Sequence, residues 1–339
     1  MAPGRCRPSA HVPPRLPRRS PPASWHPDAV PRGRFAPSPS GPLHIGNLRT
    51  ALVAWLLARH TGGEFLIRIE DLDPATSRPG VARSQLEDLR RLGLDWDEPP
   101  LFQSTRRHAH HAAVEQLVAR DLAYPCWCSR REIREAPRAP HTPEGAYPGT
   151  CRDLDEEARA RRAASADRPP ALRLRADRLV ADRRVTFVDE MAGPVSVLVD
   201  DVVLRRGDGL PSYHVAVVLD DDHQGVDQVV RGDDLLTTTP RHLVLAAAWG
   251  LTPPRHHHVP LVLAPDGTRL AKRHGAVTLA DRLALGDHPR RVVGRLAESL
   301  GLAEPGEHLG PDDLLDRFDP SRLPRTPWRL RPRDIEEPW

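Results

Sequence analysis

The sequence predicts an α/β protein, a parallel sheet wound with helices and split by a smaller inserted α+β unit. Three observations predict it. Residues 33–36 read as a short strand that runs into a Pro/Ser/Gly loop and then into LRTALVAWLLARHTGG, an apolar-faced helix closed by Gly62 and Gly63. EFLIRIEDLD follows as a buried strand with carboxylates at its C-terminal end, and strand, loop, helix, strand opens a parallel nucleotide-binding sheet. Over residues 121–200 the character changes to a cysteine cluster, an Arg/Ala/Glu-rich helical stretch and short strands, as an insertion between two halves of a sheet would.

Taken in order, residues 1–30 are rich in Pro, Arg and Ser and lack an apolar core. They read as a disordered extension, with an RNA-binding basic arm as the alternative. Residues 31–120 form the first half of the sheet domain, with further helices over 83–92 and 106–120. In the insertion, residues 152–166 are helical, and ALRLR and VSVLVDDVVLRR give strands. Residues 201–280 resume the sheet. SYHVAVVLDD and VDQVVRGDD read as strands, with Asp220-Asp221-Asp222 ending the first, and residues 240–249 as a helix. His256-His257-His258 reads as a polar loop before VPLVLAP, and Asp266-Gly267 as a hairpin-like turn before a basic loop. Residues 281–339 are short helices and a Pro-rich end.

Composition bounds the partners. A net charge of +3 permits RNA binding without requiring it, and an Arg-rich surface alone explains the charge equally well. No run approaches the roughly 18 apolar residues of a membrane span, so a cytoplasmic protein is expected. Cys6, Cys126, Cys128 and Cys151 then belong to a reducing compartment, and the last three read as metal ligands rather than disulfide partners. Among many arginines the chain has a single lysine, Lys272, and a single asparagine, Asn47. A lone Lys in such a chain marks a place where a compact ammonium is needed.

The first loop carries phosphate chemistry. In Pro42-Leu43-His44-Ile45-Gly46-Asn47 a histidine stands at the mouth of a helix, whose free N–H groups and dipole attract phosphate. His44 can donate to a phosphoryl oxygen that gains charge in a transition state, and Gly46 lets a nucleotide approach closely.

RFAPSPSGPLHIGNLRTAL resembles the first strand and HIGH motif of the class I glutamyl- and glutaminyl-tRNA synthetases. RIEDLDP resembles their next strand, PSYHVAVVLDD and DQVVRGDDLL their glutamate-binding strand and turn, and RLAKRHGAVTL their KMSKS loop. The blocks occur in family order over residues 32–280. The resemblance implies a Rossmann-like catalytic domain that activates L-glutamate with ATP and Mg²⁺. It implies a glutamate site of Arg34, Phe35, Ala36, Pro37, Ser38, Glu70, Tyr213 and Arg231, and an ATP site of His44, Gly46, Asn47, Lys272 and Arg273, with His44 and Lys272 catalytic. Residue chemistry agrees, since carboxylates call for Arg forks, Glu70 suits an ammonium and Tyr213 can donate to a side-chain carboxylate. Arg269 and Ala271 depart from the KMSKS pattern, and Val217 stands where the tRNA(Glu) enzymes often place Asn.

Cys126-x-Cys128 with Tyr147 and Cys151, and the short stretch after the KMSKS-like loop, narrow the resemblance to the short glutamyl-queuosine tRNA(Asp) synthetases. That family implies transfer of glutamate to queuosine at the wobble position, with the queuosine-bearing tRNA(Asp) anticodon stem-loop as partner, no anticodon-binding domain, no membrane and a monomer. The alternatives are a truncated enzyme acylating the 3′ end of tRNA(Glu) and a non-catalytic tRNA-binding paralogue. A structural zinc ion is expected on Cys126, Cys128 and Cys151, although C-x-C is tighter than the usual C-x₂-C. Metal chemistry favours His141 as fourth ligand, the resemblance favours Tyr147, and three thiols without metal are the plainer reading. His108, His110 and His111 are expected on a solvated helix face, His214 and His223 as support for the pocket, and Trp127 as packing for the cysteines.

Overall fold

The computed structural model describes residues 30–136, 146–270, 274–275 and 277–339. Residues 1–29 of the expected extension, His141, Lys272 and Arg273 lie outside them. The first half runs β1 (Arg32–Phe35), α1 (Ile45–His60), β2 (Glu64–Ile69), α2 (Pro79–Arg91), β3 (Leu101–Phe102) and α3 (Arg107–Ala119). There follow β4 (Ala123–Cys126), α4 (Arg130–Glu135), α5 (Glu156–Ser165), β5 (Ala171–Leu174), β6 (Arg184–Asp189), β7 (Gly193–Leu198) and β8 (Val203–Arg205). Then come α6 (Tyr213–His223), β9 (Gln228–Gly232), α7 (Thr239–Trp249), β10 (Arg255–Val259) and β11 (Val262–Leu263). The C-terminal region holds α8 (Leu279–Ala284), α9 (Pro289–Glu298), β12 (Trp328–Arg329) and α10 (Arg333–Glu336).

The main sheet has five parallel strands in the order β10-β9-β1-β2-β3. Strands β1 and β9 are far apart in sequence yet adjacent at the centre, so their C-terminal ends open side by side. Helix α1 packs on β1, β2 and β9 on one side and approaches α9 on the other. It is buried nearly all round rather than along one apolar stripe: Leu48, Ala51, Leu52, Val53, Ala54, Trp55 and Leu56 are all at most 2% exposed. Even Arg49 is enclosed, donating to the Ser299 hydroxyl at 2.9 Å and to the Pro260 carbonyl at 3.0 Å. Between the two halves, β4, β5 and β8 form a small antiparallel sheet and β6–β7 a hairpin.

Three sequence expectations are corrected. SYHVAVVLDD is not a strand but most of α6, capped by the Ser212 hydroxyl, which accepts from Val215 N. The Asp220-Asp221-Asp222 run therefore lies on the last turns of a helix, and helical spacing turns Asp220 and Asp221 inward. His256-His257-His258 is not a loop but the buried strand β10, paired with Val229, Val230 and Arg231. His110 is not solvated. It is fully buried on α3, with Nε2 2.8 Å from Asp220 Oδ1, where Arg106 also donates.

Candidate active site

The C-terminal ends of β1, β2 and β9 and the starts of α1 and α6 enclose a cavity of about 640 Å³. Such a mouth, at the carboxyl ends of parallel strands, is where α/β sheets bind ligands. Arg34, Phe35, Ala36, Pro37, Ser38, His44, Gly46, Asn47, Glu70, Tyr213 and Arg231 all line it. Of the sequence-selected residues of the glutamate and ATP sites, only Lys272 and Arg273 fall outside the described chain.

His44 is the N-cap of α1. Its Nδ1 accepts from Asn47 N at 3.2 Å, while the Asn47 side chain accepts from His44 N at 3.1 Å. This capping box satisfies two helix-end donors and fixes the ring. Burial, and then the Arg269 charge, lower the His44 pKa to about 4. The ring is therefore neutral near pH 7, and with Nδ1 accepting, its proton sits on Nε2, where it can donate. A Cβ on residue 46 would lie 3.0 Å from the His44 ring, so Gly46 makes room for that orientation. The loop before it is tied down by Gln85 of α2, whose amide donates to the Ser38 and Gly41 carbonyls at 3.1 and 2.7 Å, and by Glu70 N donating to the Pro37 carbonyl.

Two guanidinium groups reach the cavity from adjacent strands. Arg34 donates to Asp221 Oδ1 at 3.2 Å and to the Val230 carbonyl. Arg231 donates through Nε to His258 Nε2 at 3.0 Å, through Nη1 to His242 Nδ1 at 3.3 Å and through Nη2 to the Thr239 hydroxyl at 2.8 Å. Glu70 faces them with Arg68 at 3.5 Å. Burial raises its carboxyl pKa against the pull of Arg68 and Arg34. Burial, then Glu70, also raises the Tyr213 phenol, which stays a hydrogen-bond donor at neutral pH. Arg269 stands at the mouth, paired with Asp234 at 2.6 Å. The cavity thus presents cationic forks for carboxylates, an anion for an ammonium, and a helix start with an imidazole donor for phosphate.

A second centre lies outside this cavity. The sulfurs of Cys126, Cys128 and Cys151 all lie within 4.8 Å of one another, with Cys128 and Cys151 at 3.5 Å. Tetrahedral zinc with bonds of roughly 2.3 Å spaces sulfurs about 3.8 Å apart, so the set fits a structural zinc ion. The Tyr147 hydroxyl is 3.4 Å from Cys126 Sγ and 4.0 Å from Cys128 Sγ, and accepts from Cys151 N at 2.7 Å. Trp127 packs beside the cluster.

Sequence reading misses Arg68, Gln85, Asp189, Asp221, His242 and His258. Each acts through a partner remote in the chain: Asp221 meets Arg34 across 187 positions and His258 meets Asp189 across 69. The local signals are the three-histidine run, whose polarity suggests a loop, and the Asp220-Asp221-Asp222 run, which reads as a strand end.

The family of class I tRNA synthetases (E and Q), by its catalytic domain, matches residues 31–310. The chain belongs to this family and is an enzyme of the tRNA ligase class. Among named relatives it is 56% identical, over 90% of its own length and 95% of theirs, to the glutamyl-Q tRNA(Asp) synthetase of Nocardia farcinica (strain IFM 10152). It is 48% identical to the protein of that name from Symbiobacterium thermophilum, over 88% of this chain and 95% of that one. Its fold is similar to the glutamate tRNA ligase of Elizabethkingia meningosepticum, solved in complex with its amino acid. The TM-score is 0.75 at 29% identity, covering 90% of this chain and 68% of that one.

Proposed function

We propose that this enzyme activates L-glutamate with ATP and transfers the glutamyl group to queuosine at the wobble position of tRNA(Asp). One observation carries the first half: Arg34 and Arg231 face a single cavity with Glu70 and Tyr213, and His44 stands at a helix start on its wall. A glutamate ligand has two carboxylates for the guanidinium groups and the phenol, and an ammonium for Glu70. The acceptor rests on relatives that bear the name glutamyl-Q tRNA(Asp) synthetase.

In the first step an oxygen of the substrate α-carboxylate attacks the α-phosphorus of ATP. A bond to phosphorus forms, the bond to the bridging oxygen breaks, and pyrophosphate leaves with its electron pair. The protein's part is to position and to stabilise charge. His44 Nε2–H donates to a phosphoryl oxygen, and the Lys272 ammonium pairs with the leaving phosphates. Mg²⁺ entering with ATP neutralises phosphate charge. In the second step a hydroxyl of the queuosine cyclopentenediol attacks the acyl carbon and AMP departs. Cys126, Cys128 and Cys151, with Tyr147, would hold a zinc ion, which would stiffen the region carrying them.

The test is acylation with labelled glutamate, comparing tRNA(Asp) with queuosine, tRNA(Asp) without it, and tRNA(Glu). Labelling of the first alone is expected. Labelling of tRNA(Glu) with none of queuosine-bearing tRNA(Asp) would replace this reading.

A further inference from the structure

Among the described residues no carboxylate hydrogen-bonds to Arg231, whereas Asp221 accepts from Arg34; Asp221 and Glu70 act on Arg231 only through space. The hydrogen-bond partners of Arg231 are His258, His242, the Thr239 hydroxyl and the Leu235 carbonyl, all neutral or acceptor groups. A guanidinium offers donors only, so His258 Nε2 must present a lone pair to Arg231 Nε. On the other side of the same ring, His258 Nδ1 lies 2.6 Å from Asp189 Oδ2, and a carboxylate only accepts, so Nδ1 carries the proton. Both atoms are buried, and the tautomer of His258 is set by Asp189.

Asp189 closes β6, on the hairpin between the two small-sheet strands β5 and β8. Its other oxygen accepts from Met191 N at 3.0 Å and Ala192 N at 2.8 Å, which fixes the turn, and Glu190 N donates to the His256 carbonyl of β10. The hairpin therefore caps the outer edge of the parallel sheet and sends one carboxylate through it. We propose that Asp189 and His258 are positioning residues for substrate: Asp189 holds His258 in the Nδ1–H form, and that form orients Arg231, to which no described carboxylate is hydrogen-bonded, toward a substrate carboxylate. This rests on the reading of the cavity as a glutamate site.

The consequence is specific. Asp189→Asn keeps an oxygen for the turn but turns an N–H₂ toward His258. The ring then shifts its proton to Nε2 and opposes a donor to the Arg231 donor, which displaces the guanidinium. The same logic makes the buried aspartate of a hydrolase triad a tautomer control. Losing a hydrogen bond to a charged group is worth about tenfold or more in affinity.

Glutamate-dependent ATP–pyrophosphate exchange is measured for wild type, Asp189→Asn, His258→Gln and the double variant. Asp189→Asn is expected to raise KM for glutamate about tenfold or more, with KM for ATP and kcat little changed. In the His258→Gln background, where the amide oxygen accepts from Arg231 without help, Asp189→Asn is expected to have little effect. An equal effect in both backgrounds would reduce Asp189 to a turn residue and overturn the proposal, as would no effect in either. Imidazole ¹⁵N shifts read the relay without any substrate, with His258 expected as Nδ1–H in wild type and Nε2–H in Asp189→Asn. A wild-type His258 protonated on Nε2 overturns the relay whatever the amino acid. A correct tautomer switch with no glutamate-dependent exchange in wild type strikes instead at the glutamate reading.

Discussion

Asp221 and Arg34 form a buried pair, Nε to Oδ1 at 3.2 Å, and the same oxygen accepts from Arg68 Nη1 at 2.5 Å. One carboxylate on α6 thus holds two guanidinium groups on adjacent strands. Burial raises its pKa, but Arg34 and Arg68 outweigh burial and hold it down to about 2. Asp221 contributes stability above the unfolded carboxylate value of roughly 4, and that contribution is lost as pH falls through about 2. Asp221→Asn leaves two buried cations short of a counter-charge, so urea unfolding at pH 7 should show a loss of about 3–5 kcal/mol. A loss under 1 kcal/mol would mean that Glu70 suffices for both arginines.

Several imidazoles have the same pH sign, but by burial rather than by charge pairing. Burial comes first in lowering His44, His214 and His257 to about 4 and His256 to about 3. An unfolded chain binds protons near pH 6.5, before these folded sites do. The stability they contribute is full above that pH and is lost as pH falls toward 4. Thermal unfolding followed from pH 7.5 to 4.5 should show Tm dropping steeply below pH 6.5. A flat profile would mean that these rings titrate normally in the fold. His44→Ala should also cut exchange by roughly 10²-fold at pH 7.5, since one donor to a transition-state oxygen is lost.

Much of this candidate site is legible in the sequence, and the illegible part has a physical cause. The β1 loop and the start of α1 are local, because Pro37, Ser38, His44, Gly46 and Asn47 lie in one short stretch whose turn chemistry is visible. The misreading of α6 is also local. A short run of Val, Ala and Leu fits a buried strand and a buried helix equally, and the Ser212 cap that decides it is a weak signal. Tyr213 still reaches the cavity because it starts that helix at the mouth. What no local pattern carries is the support behind the arginines. A parallel strand buried on both faces can hold polar residues only if distant groups satisfy them, and for His258 that group is Asp189 on another hairpin.

Lys272 tests the reading of the basic loop. Lys272→Ala should lower glutamate-dependent exchange by roughly 10²-fold, the worth of one charge-stabilising contact to a transferring phosphoryl group. Lys272→Arg should be impaired as well, because a planar fork does not replace a compact ammonium. Near-normal exchange in both variants would make the lone lysine an accident of composition.

The cysteine cluster predicts metal. Freshly purified protein should carry about one zinc per chain. Cys126→Ser and Cys151→Ser should each lose it and lower Tm, because binding free energy is folding free energy at such a site. Tyr147→Phe separates ligand from neighbour. Retention of zinc in that variant would leave the Tyr147 hydroxyl as a hydrogen-bond partner of the thiolates and assign the fourth position elsewhere.

The acceptor is the sharpest test. On the proposed reading a glutamyl adenylate would form in the cavity that Arg231 and His44 line, so the receiving hydroxyl would have to enter it. A paired stem cannot deliver a base there, whereas a single-stranded loop can splay one out. Arg269 at the mouth would hold a flanking phosphate and make affinity fall with salt. An isolated tRNA(Asp) anticodon stem-loop bearing queuosine should therefore accept glutamate, and a version with a 3′-deoxy end should accept it equally. Periodate does not discriminate on full-length tRNA, since it destroys the vicinal diols of both the queuosine ring and the 3′ ribose. The 3′-deoxy stem-loop does. If it stays unlabelled while intact tRNA(Glu) is charged at its 3′ end, glutamate is being delivered to a terminal ribose, and the queuosine assignment gives way to that of a tRNA(Glu) ligase.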